Sequence, residues 1–321
     1  MNAATRNATA HSATLPRAHT ETGAFQTGFP DYIVPEPSGL MKTIITALAL
    51  AILGSVSVSA QDWAKERLNN SRRHMEWVKV KHGDREVNCF IAFPERKDKA
   101  TAVVVIHEIF GLTDWVRSVT DQLAEAGYIA IAPDLLTGTP GADGGDGART
   151  AIRSLPPDQI TADLNATVDY VSKLPACNGK VAVAGFCWGG SEAFRFATNN
   201  KDIKAAFVFY GSGPENEQEL ARIAAPVYGF YGGNDARVNA TVPESSKRMK
   251  QHGKTFEPVT YEDAGHGFMR QGEAPGANAA DKKAREEAWT RWKSCCRSSD
   301  ARRYLACAKS MNTRGPRSVM I

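Results

Sequence analysis

The sequence lacks the cysteine and histidine spacings that bind zinc or exchange disulfides. It contains no C-x-x-C pair, and none of its six cysteines stands at a metal-ligand spacing from a histidine. These cysteines are Cys89, Cys177, Cys187, Cys295, Cys296 and Cys307. Their spacing argues against zinc-binding and thioredoxin-like domains, and we expect no metal or cofactor. Cys89 and Cys177 are expected in the core, although they could pair in an oxidising compartment.

The chain also lacks internal repeats and a broad excess of charge. Its formal net charge is +4, but residues 295–321 alone contain six Lys or Arg against one Asp, so the remainder is near neutral. No stretch interleaves basic and aromatic residues, and we expect no nucleic-acid partner. The 321 residues have an ordinary globular composition, which is sufficient for one large α/β domain.

The N-terminal region contains an apolar run, but the run is too short to span a membrane. Its core at 44–53 falls short of the about 20 residues that a membrane-spanning helix needs. The surrounding segment Met41–Ala60 has a lysine, an apolar stretch and small residues before Gln61, which is typical of a secretory signal peptide. A transmembrane anchor is the alternative. We expect a periplasmic or secreted protein without a membrane anchor after cleavage.

The two ends of the chain show no helical or strand periodicity. Residues 1–40 precede the predicted signal peptide, which would function poorly at an internal position. We therefore expect Met41 to be the true start and 1–40 to be a spurious extension, with a disordered extension as the alternative. Residues 295–321 have no sustained apolar face and predict a disordered basic tail, which places the folded domain at 61–294.

Strand-like and helix-like segments alternate between these ends. Strands are predicted at 75–81, 86–93, 101–107, 128–132, from 181, at 205–210, 226–231 and 255–261, and helices at 114–126, 157–174, 188–198, 243–252 and 279–293. Continuous apolar runs such as 101–107 indicate strands buried on both faces. The alternation predicts an α/β fold whose mostly parallel sheet carries helices on both faces. The glycine-rich segment 137–150 predicts a mobile loop.

The segment Lys180–Ser191 (KVAVAGFCWGGS) places one cysteine in a glycine-rich turn after an apolar strand. Its G-x-C-x-G pattern is the thiol version of the G-x-S-x-G turn that presents a nucleophile above a sheet. Gly185, Gly189 and Gly190 are the small residues that such a strained turn needs. Cys187 is therefore a candidate nucleophile, and a buried structural cysteine is the alternative.

Two further residues follow in the order nucleophile, acid, histidine that α/β-hydrolases use. Asp235 comes at the end of the strand 226–231, and His266 lies between two glycines after the strand 255–261. A thiol nucleophile needs a base to accept its proton and an acid to orient that base. The order predicts a triad of Cys187, His266 and Asp235 on an α/β-hydrolase fold. A solvated turn aspartate and a surface histidine are the alternatives.

Two charged residues extend this candidate site. Glu108 directly follows the strand 101–107, in the loop that supplies an oxyanion-hole amide in this fold, and its carboxylate could hydrogen-bond the thiol. Arg270 stands four residues after His266 and could bind a substrate carboxylate through two parallel hydrogen bonds. A solvent-facing arginine is the alternative for Arg270.

Four blocks of the sequence resemble the signature blocks of the dienelactone hydrolases, also called carboxymethylenebutenolidases, over about 75–293. The blocks are HEIFG at 107–111, GFCWGG at 185–190, GGND at 232–235 and GHGFMR at 265–270. The resemblance implies the triad of Cys187, Asp235 and His266, with Glu108 taking the thiol proton as substrate arrives. It further implies an oxyanion hole formed by the amides of Ile109 and Trp188, and a substrate carboxylate bound by Arg270.

One departure from the family pattern concerns a second arginine. Dienelactone hydrolases place a second substrate-binding arginine shortly after the Pro-Asp block, whereas Pro133-Asp134 is followed here by Leu-Leu-Thr-Gly. Arg149 or Arg153, further along the chain, could substitute. The resemblance thus predicts ester or lactone hydrolysis and leaves open whether dienelactone is the substrate.

These residues together predict an enzyme that hydrolyses carboxylic esters or lactones through a thioester on Cys187. The expected partner is a small-molecule ester or lactone, and the protein is expected to be a monomer. Two alternatives are a broad-specificity exported carboxylesterase and a non-catalytic thiol sensor or binding protein on a hydrolase scaffold.

Overall fold

Eight strands form the central sheet of the protein. The structure is a computed structural model that describes residues 61–142 and 145–300, so the predictions for 1–40, 41–60 and 301–321 lie outside the described residues. The strands are β1 (Met75–His82), β2 (Arg85–Ala92), β3 (Ala100–Ile106), β4 (Ile129–Pro133), β5 (Cys177–Phe186), β6 (Ala206–Phe209), β7 (Val227–Gly232) and β8 (Phe256–Tyr261).

The sheet is mixed but mostly parallel, as predicted. Its strand order is β1-β2-β4-β3-β5-β6-β7-β8, in which the pairs β1–β2 and β2–β4 are antiparallel and the other neighbours are parallel. The first two strands form the predicted hairpin. Every residue of β3, β4, β6 and β7 is buried, which explains why these strands appear in the sequence as continuous apolar runs.

Helices cover both faces of the sheet, as predicted. They are α1 (Asp62–Asn69), α2 (Asp114–Glu125), α3 (Gly145–Ser154), α4 (Pro157–Ser172), α5 (Trp188–Asn199), α6 (Glu217–Ala221), α7 (Ala236–Asn239), α8 (Val242–Gln251), α9 (Phe268–Gln271) and α10 (Ala279–Asp300). Side chains alternate along β3: Val104 and Ile106 pack with α3, α4, α5 and α8, while Val103 and Val105 pack with α1, α2 and α10. The short α6, α7 and α9 were not predicted. No helix in the described part of the chain has the length and apolar character to cross a membrane.

The glycine-rich segment is partly helical, which corrects the predicted mobile loop. Its second half begins α3, and the buried residues Ala148, Ala151 and Ile152 lie on one face of that helix. Their spacing of three to four residues matches the helical period, so burying this face outweighs the low helix propensity of Gly145 and Gly147. This face of the helix therefore packs into the core cluster that also contains Leu136 and Leu155.

The C-terminal helix is longer than predicted, so the folded domain does not end at 294. Helix α10 continues to Asp300, and Cys295 and Cys296 have exposed fractions of 0% and 1%. Ala288, Trp292, Cys295 and Cys296 follow one another at spacings of one, three and four residues, so they share the helix face that packs on the sheet. The prediction of a disordered tail is wrong for Cys295 and Cys296.

Four strands bring the candidate site together. Because parallel strands end at the same edge of a sheet, the residues that follow β3, β5, β7 and β8 meet there. These residues are Glu108, Cys187, Asp235 and His266 in that order.

Candidate active site

Cys187 lies in a strained turn between β5 and α5. Its φ is 57° and its ψ is −117°, a combination that non-glycine residues rarely adopt and that costs about 1–3 kcal/mol. The predicted need for glycines on either side is confirmed. A Cβ on Gly185 would lie 1.8 Å from the carbonyl oxygen of Gly189, and one on Gly189 would lie 2.3 Å from that of His107. The turn therefore holds the thiol at the top of the sheet.

The structure brings the three predicted triad residues into contact. Nε2 of His266 lies 3.1 Å from Sγ of Cys187, and Nδ1 of His266 lies 2.5 Å from Oδ2 of Asp235. Asp235 is only 6% exposed, and its other carboxylate oxygen accepts a hydrogen bond from the amide of Val238 at 3.4 Å. The ring of Tyr210 packs edge-on against the imidazole, with ring centroids 5.1 Å apart. Asp235 is thus not a solvated turn residue, and His266 has both ring nitrogens engaged.

The surroundings of Cys187 favour a protonated thiol at rest. Burial raises the pKa of this thiol above its ordinary value, and the negative charge of Glu108 acts in the same direction. The backbone amides of Trp188 and Ile109 are directed at the sulfur and lower the pKa, as does the positive charge of Arg237. The two amides predicted for the oxyanion hole therefore lie beside the nucleophile.

Glu108 and Arg270 form a largely buried ion pair beside this thiol. Nε of Arg270 donates to a carboxylate oxygen of Glu108 at 2.9 Å, and Glu108 is 3% exposed. Burial raises the pKa of the Glu108 carboxyl, which the charge of Arg270 opposes. The Arg270 guanidinium also lies over the ring of Phe110, 5.5 Å from its centroid. Arg270 is therefore not the solvent-facing side chain that was the alternative, and it already has a counter-charge.

Phe110 links this pair to one of the two substitute arginines. The guanidinium of Arg149 lies 4.7 Å from the centroid of the same ring, and Arg149 also pairs with Asp146 at 3.6 Å. Arg153, on the same helix, is exposed. The structure thus brings Arg149 next to the ring that Arg270 covers, at the margin of the site.

His107 is a buried residue of the site to which the sequence analysis gave no role. Its Nε2 accepts a hydrogen bond from the amide of Leu135 at 3.3 Å, so the ring proton is on Nδ1, which donates to the carbonyl of Glu108 at 2.8 Å. Burial lowers the pKa of this imidazole, which agrees with a neutral ring. Its ring also stacks on Trp188, with centroids 5.5 Å apart. His107 therefore contacts the two groups that supply the candidate oxyanion-hole amides: the peptide between Glu108 and Ile109, and Trp188.

A cavity of about 300 Å³ opens over the thiol. Its wall includes Cys187, Ile109, Trp188, Tyr210 and Arg237. Arg237 was missed because an arginine in a single helical turn gives no periodic signal, although its position two residues after Asp235 places it at the same sheet edge. No group of three or more His, Cys, Asp or Glu side chains in residues 61–142 and 145–300 is placed to hold a metal ion.

Comparison with known proteins supports one family. The model of the dienelactone hydrolase family matches residues 87–298. A protein of Salmonella typhimurium named as a carboxymethylenebutenolidase is 31% identical over 221 residues, which cover 64% of this chain and 80% of that protein. An Escherichia coli K12 protein of the same name is 32% identical and covers 63% of this chain and 79% of its own length. The crystal structure of a Klebsiella pneumoniae protein described as a dienelactone hydrolase aligns with a TM-score of 0.63 at 25% identity, over 71% of this chain and 99% of that one.

Proposed function

The chain belongs to the dienelactone hydrolase family and is a hydrolase, and we propose that it cleaves carboxylic esters or lactones by acyl transfer through Cys187. The observation that carries this proposal is the unbroken chain of contacts from Sγ of Cys187 through the imidazole of His266 to the carboxylate of Asp235. A buried cysteine with only a structural role needs neither contact.

The first half of the reaction forms a thioester. Because the thiol rests protonated, a base must accept its proton at the moment of attack, and Nε2 of His266 is in position to do so. Asp235 holds the proton of the other ring nitrogen and stabilises the imidazolium that forms. The sulfur lone pair then forms a C–S bond with the substrate carbonyl. The resulting oxyanion is stabilised by the amides of Ile109 and Trp188.

Loss of the leaving group completes the thioester: the bond between the carbonyl carbon and the ester oxygen breaks, and the leaving oxygen takes the proton from His266. The second half of the reaction then returns the enzyme to its starting state. Water then attacks the thioester while His266 accepts one of its protons, and the C–S bond breaks to release the acid and restore the thiol. Enolate and phenolate leaving groups suit this route, because a thiolate is itself a good leaving group and competes with poorer ones.

Glu108 is a second candidate proton acceptor in this proposal. The family resemblance assigns to Glu108 the thiol proton when substrate arrives. In the structure, one oxygen of that carboxylate accepts a hydrogen bond from Arg270. The other oxygen of the Glu108 carboxylate can still accept a proton, but His266 is the base that is already in contact with the sulfur.

A comparison of substrates tests the proposed function. The purified protein is assayed with dienelactone and with 4-nitrophenyl acetate, alongside Cys187→Ala. Hydrolysis that disappears in the variant while its unfolding transition is unchanged supports the proposal. A thioester adduct on the Cys187 peptide of the wild-type protein, found by mass spectrometry after rapid acid quenching of a mixture with ester, supports the covalent intermediate. Hydrolysis that persists in Cys187→Ala contradicts it, and no hydrolysis of either substrate favours the non-catalytic thiol protein.

The relative rates with these substrates decide between a dienelactone hydrolase and a broad-specificity carboxylesterase. Preference for dienelactone identifies the activity after which the family is named, and turnover of the nitrophenyl ester alone identifies a broad carboxylesterase.

We also propose that the enzyme is exported through the signal peptide at 41–60. N-terminal sequencing of protein recovered from outside the cytoplasm tests this proposal, and a mature chain beginning at Gln61 is the expected result.

A further inference from the structure

Tyr210 combines a strained backbone with a buried side chain on the wall of the cavity over Cys187. Its φ is 41°, a value that bulky residues rarely adopt and that glycine adopts without steric cost. Tyr210 is 1% exposed, and its hydroxyl has no hydrogen-bond partner in the described part of the chain. The contacts of this side chain are therefore those of its ring. Backbone strain beside a nucleophile points to a functional role for the residue that bears it.

The peptide group that precedes Tyr210 is held from both sides. The carbonyl of Phe209 accepts a hydrogen bond from the amide of Cys187 at 3.0 Å, and the amide of Tyr210 donates to the carbonyl of Phe230 at 2.8 Å. Because these two groups belong to one planar peptide unit, the unit cannot rotate. The φ torsion of Tyr210 then decides where its side chain points. An ordinary negative φ would turn the ring away from its present place by about a quarter turn or more.

The strained torsion directs the ring of Tyr210 against the imidazole of His266. The two ring centroids lie 5.1 Å apart and the ring planes meet at 63°, which is the geometry of a favourable edge-to-face pair. The same tyrosine ring packs on Phe268, two residues after His266, at 5.5 Å, and on Phe186, which precedes Cys187, at 6.3 Å. The ring thus contacts the segments that carry the candidate base and the candidate nucleophile.

The two hydrogen-bonding contacts of His266 leave one motion of its imidazole free. Nδ1 lies 2.5 Å from the carboxylate of Asp235, and Nε2 lies 3.1 Å from Sγ of Cys187. These contacts place the two nitrogens, but the ring can still tilt about the line that joins them. The neighbours Gly265 and Gly267 restrain the backbone little, and the His266 side chain is 33% exposed. A contact from a third direction removes this freedom.

From this geometry we propose that Tyr210 is a positioning residue for His266. Its ring keeps the imidazole from tilting out of line with Sγ of Cys187, so that the proton of the thiol is transferred over the 3.1 Å contact. The strained φ persists because an unstrained backbone would not deliver the ring to this place. This inference rests on the proposed hydrolysis and adds the residue that holds its base.

The close packing of the next residue provides the competing explanation. A Cβ on Gly211 would lie 2.3 Å from the backbone of Gly190, so the chain passes directly against the start of α5. On this view the positive φ of Tyr210 serves only the path of the backbone, and the ring has no role. The two explanations differ in what they predict for glycine at position 210, because glycine keeps the backbone path and removes the ring.

Three substitutions of Tyr210 separate its backbone, its ring and its hydroxyl. Tyr210→Gly keeps the backbone path, Tyr210→Leu keeps apolar bulk without a flat ring, and Tyr210→Phe keeps the ring without the hydroxyl. The control is Phe207→Ala, which removes a ring from the same core cluster where that ring packs on Tyr228 and Trp292. Each variant is assayed for kcat and KM with 4-nitrophenyl acetate and for stability by urea unfolding.

The expected result is a loss of kcat that follows the ring. Tyr210→Gly and Tyr210→Leu should lower kcat about 10- to 100-fold while KM stays within about 3-fold, because a misplaced base slows proton transfer without weakening binding. Tyr210→Phe should keep kcat within about 3-fold of wild type, since it restores the contact with the imidazole. Phe207→Ala should be less stable than wild type but retain a kcat within about 3-fold of it.

Three outcomes would overturn the assignment while leaving the hydrolytic function intact. Wild-type kcat in the glycine or the leucine variant would show that the ring is not needed. A kcat as low in Tyr210→Phe as in Tyr210→Gly would assign the role to the hydroxyl. An equal loss of kcat in Phe207→Ala would show that activity follows core stability alone. The proposed function fails separately if wild type does not hydrolyse the ester, or if Cys187→Ala does.

Discussion

Substitutions of His107 offer the sharpest test of how the site is held together. The carbonyl oxygen of Glu108, which accepts the hydrogen bond from His107, and the amide of Ile109 belong to one peptide group. Because a peptide group is planar, fixing its oxygen also fixes the direction of its N–H. His107 should therefore act as a positioning residue for the Ile109 side of the oxyanion hole.

Two variants separate the two hydrogen bonds of this imidazole. In His107→Asn the amide nitrogen is attached where Nδ1 was, so it can still donate to the Glu108 carbonyl, while the amide of Leu135 loses its acceptor. In His107→Gln the longer side chain reaches the position of Nε2, so the bond from Leu135 is kept and the bond to Glu108 is lost. Both variants lose the stacking on Trp188, which makes each a control for the other.

The expected magnitudes follow from these contacts. Complete loss of one oxyanion donor costs about 2.7–4 kcal/mol, or about 10²–10³ in kcat, whereas loss of an ordinary hydrogen bond costs about 0.5–1.5 kcal/mol. We expect His107→Gln to lower kcat by about 10- to 1,000-fold with little change in KM, and His107→Asn to stay within about 10-fold of wild type. Leaving the buried Leu135 amide unpaired should make His107→Asn less stable by about 1–3 kcal/mol.

The assay combines steady-state hydrolysis of 4-nitrophenyl acetate with urea unfolding of both variants. Activity and stability should change in opposite directions, with the asparagine variant more active and less stable than the glutamine variant. If kcat instead follows stability in both variants, or if KM rises while kcat is unchanged, His107 supports the fold without directing the Ile109 amide.

Three further predictions concern charge and the C-terminal helix. Glu108→Gln removes a negative charge that raises the pKa of the Cys187 thiol, so that pKa should fall and alkylation by iodoacetamide should become faster at neutral pH; an unchanged pH profile would contradict this. Arg270→Gln leaves Glu108 buried without its partner and should lower the unfolding free energy by about 3–5 kcal/mol. Because burial already raises the pKa of this carboxyl, its ionisation opposes folding. The loss of unfolding free energy in Arg270→Gln relative to wild type, measured by urea unfolding, should therefore grow as the pH rises. A loss that is independent of pH would argue against an ionised Glu108. Truncation after Ser294 removes the buried Cys295 and Cys296 and should destabilise the fold by about 2 kcal/mol, or about 4–8 °C in Tm. A chain that ends at Arg297 keeps both cysteines and should retain more of that stability. Equal melting temperatures for the two truncated chains would show that burial of the two thiols contributes little.

The strands and the order of the triad residues could be predicted because each leaves a local signal. A strand buried on both faces is made almost entirely of apolar residues, as β3 is, and a strained turn beside a close helix must have glycines, as Gly185 and Gly189 show. The order of strand ends along the chain then indicated that Cys187, Asp235 and His266 would meet.

The missed features depend on contacts between distant parts of the chain. The pairing of Glu108 with Arg270 joins residues 162 positions apart, and no local pattern reveals whether an arginine will be paired. The same limit hid Arg237, whose place on the wall of the cavity over Cys187 depends on the fold. Helix α3 was missed because its glycines concealed the spacing of Ala148, Ala151 and Ile152, and α10 was cut short because its last buried residues are cysteines.

The protonated resting state of Cys187 also bears on how long the protein survives chemical damage. Peroxide and similar oxidants attack thiolates far faster than thiols, and sulfinic and sulfonic acids cannot be returned to a thiol in most proteins. A nucleophile whose pKa is raised by burial and by a neighbouring carboxylate is therefore shielded between turnovers. The arrangement that makes this cysteine depend on a base for each reaction also protects it from irreversible oxidation while no substrate is bound.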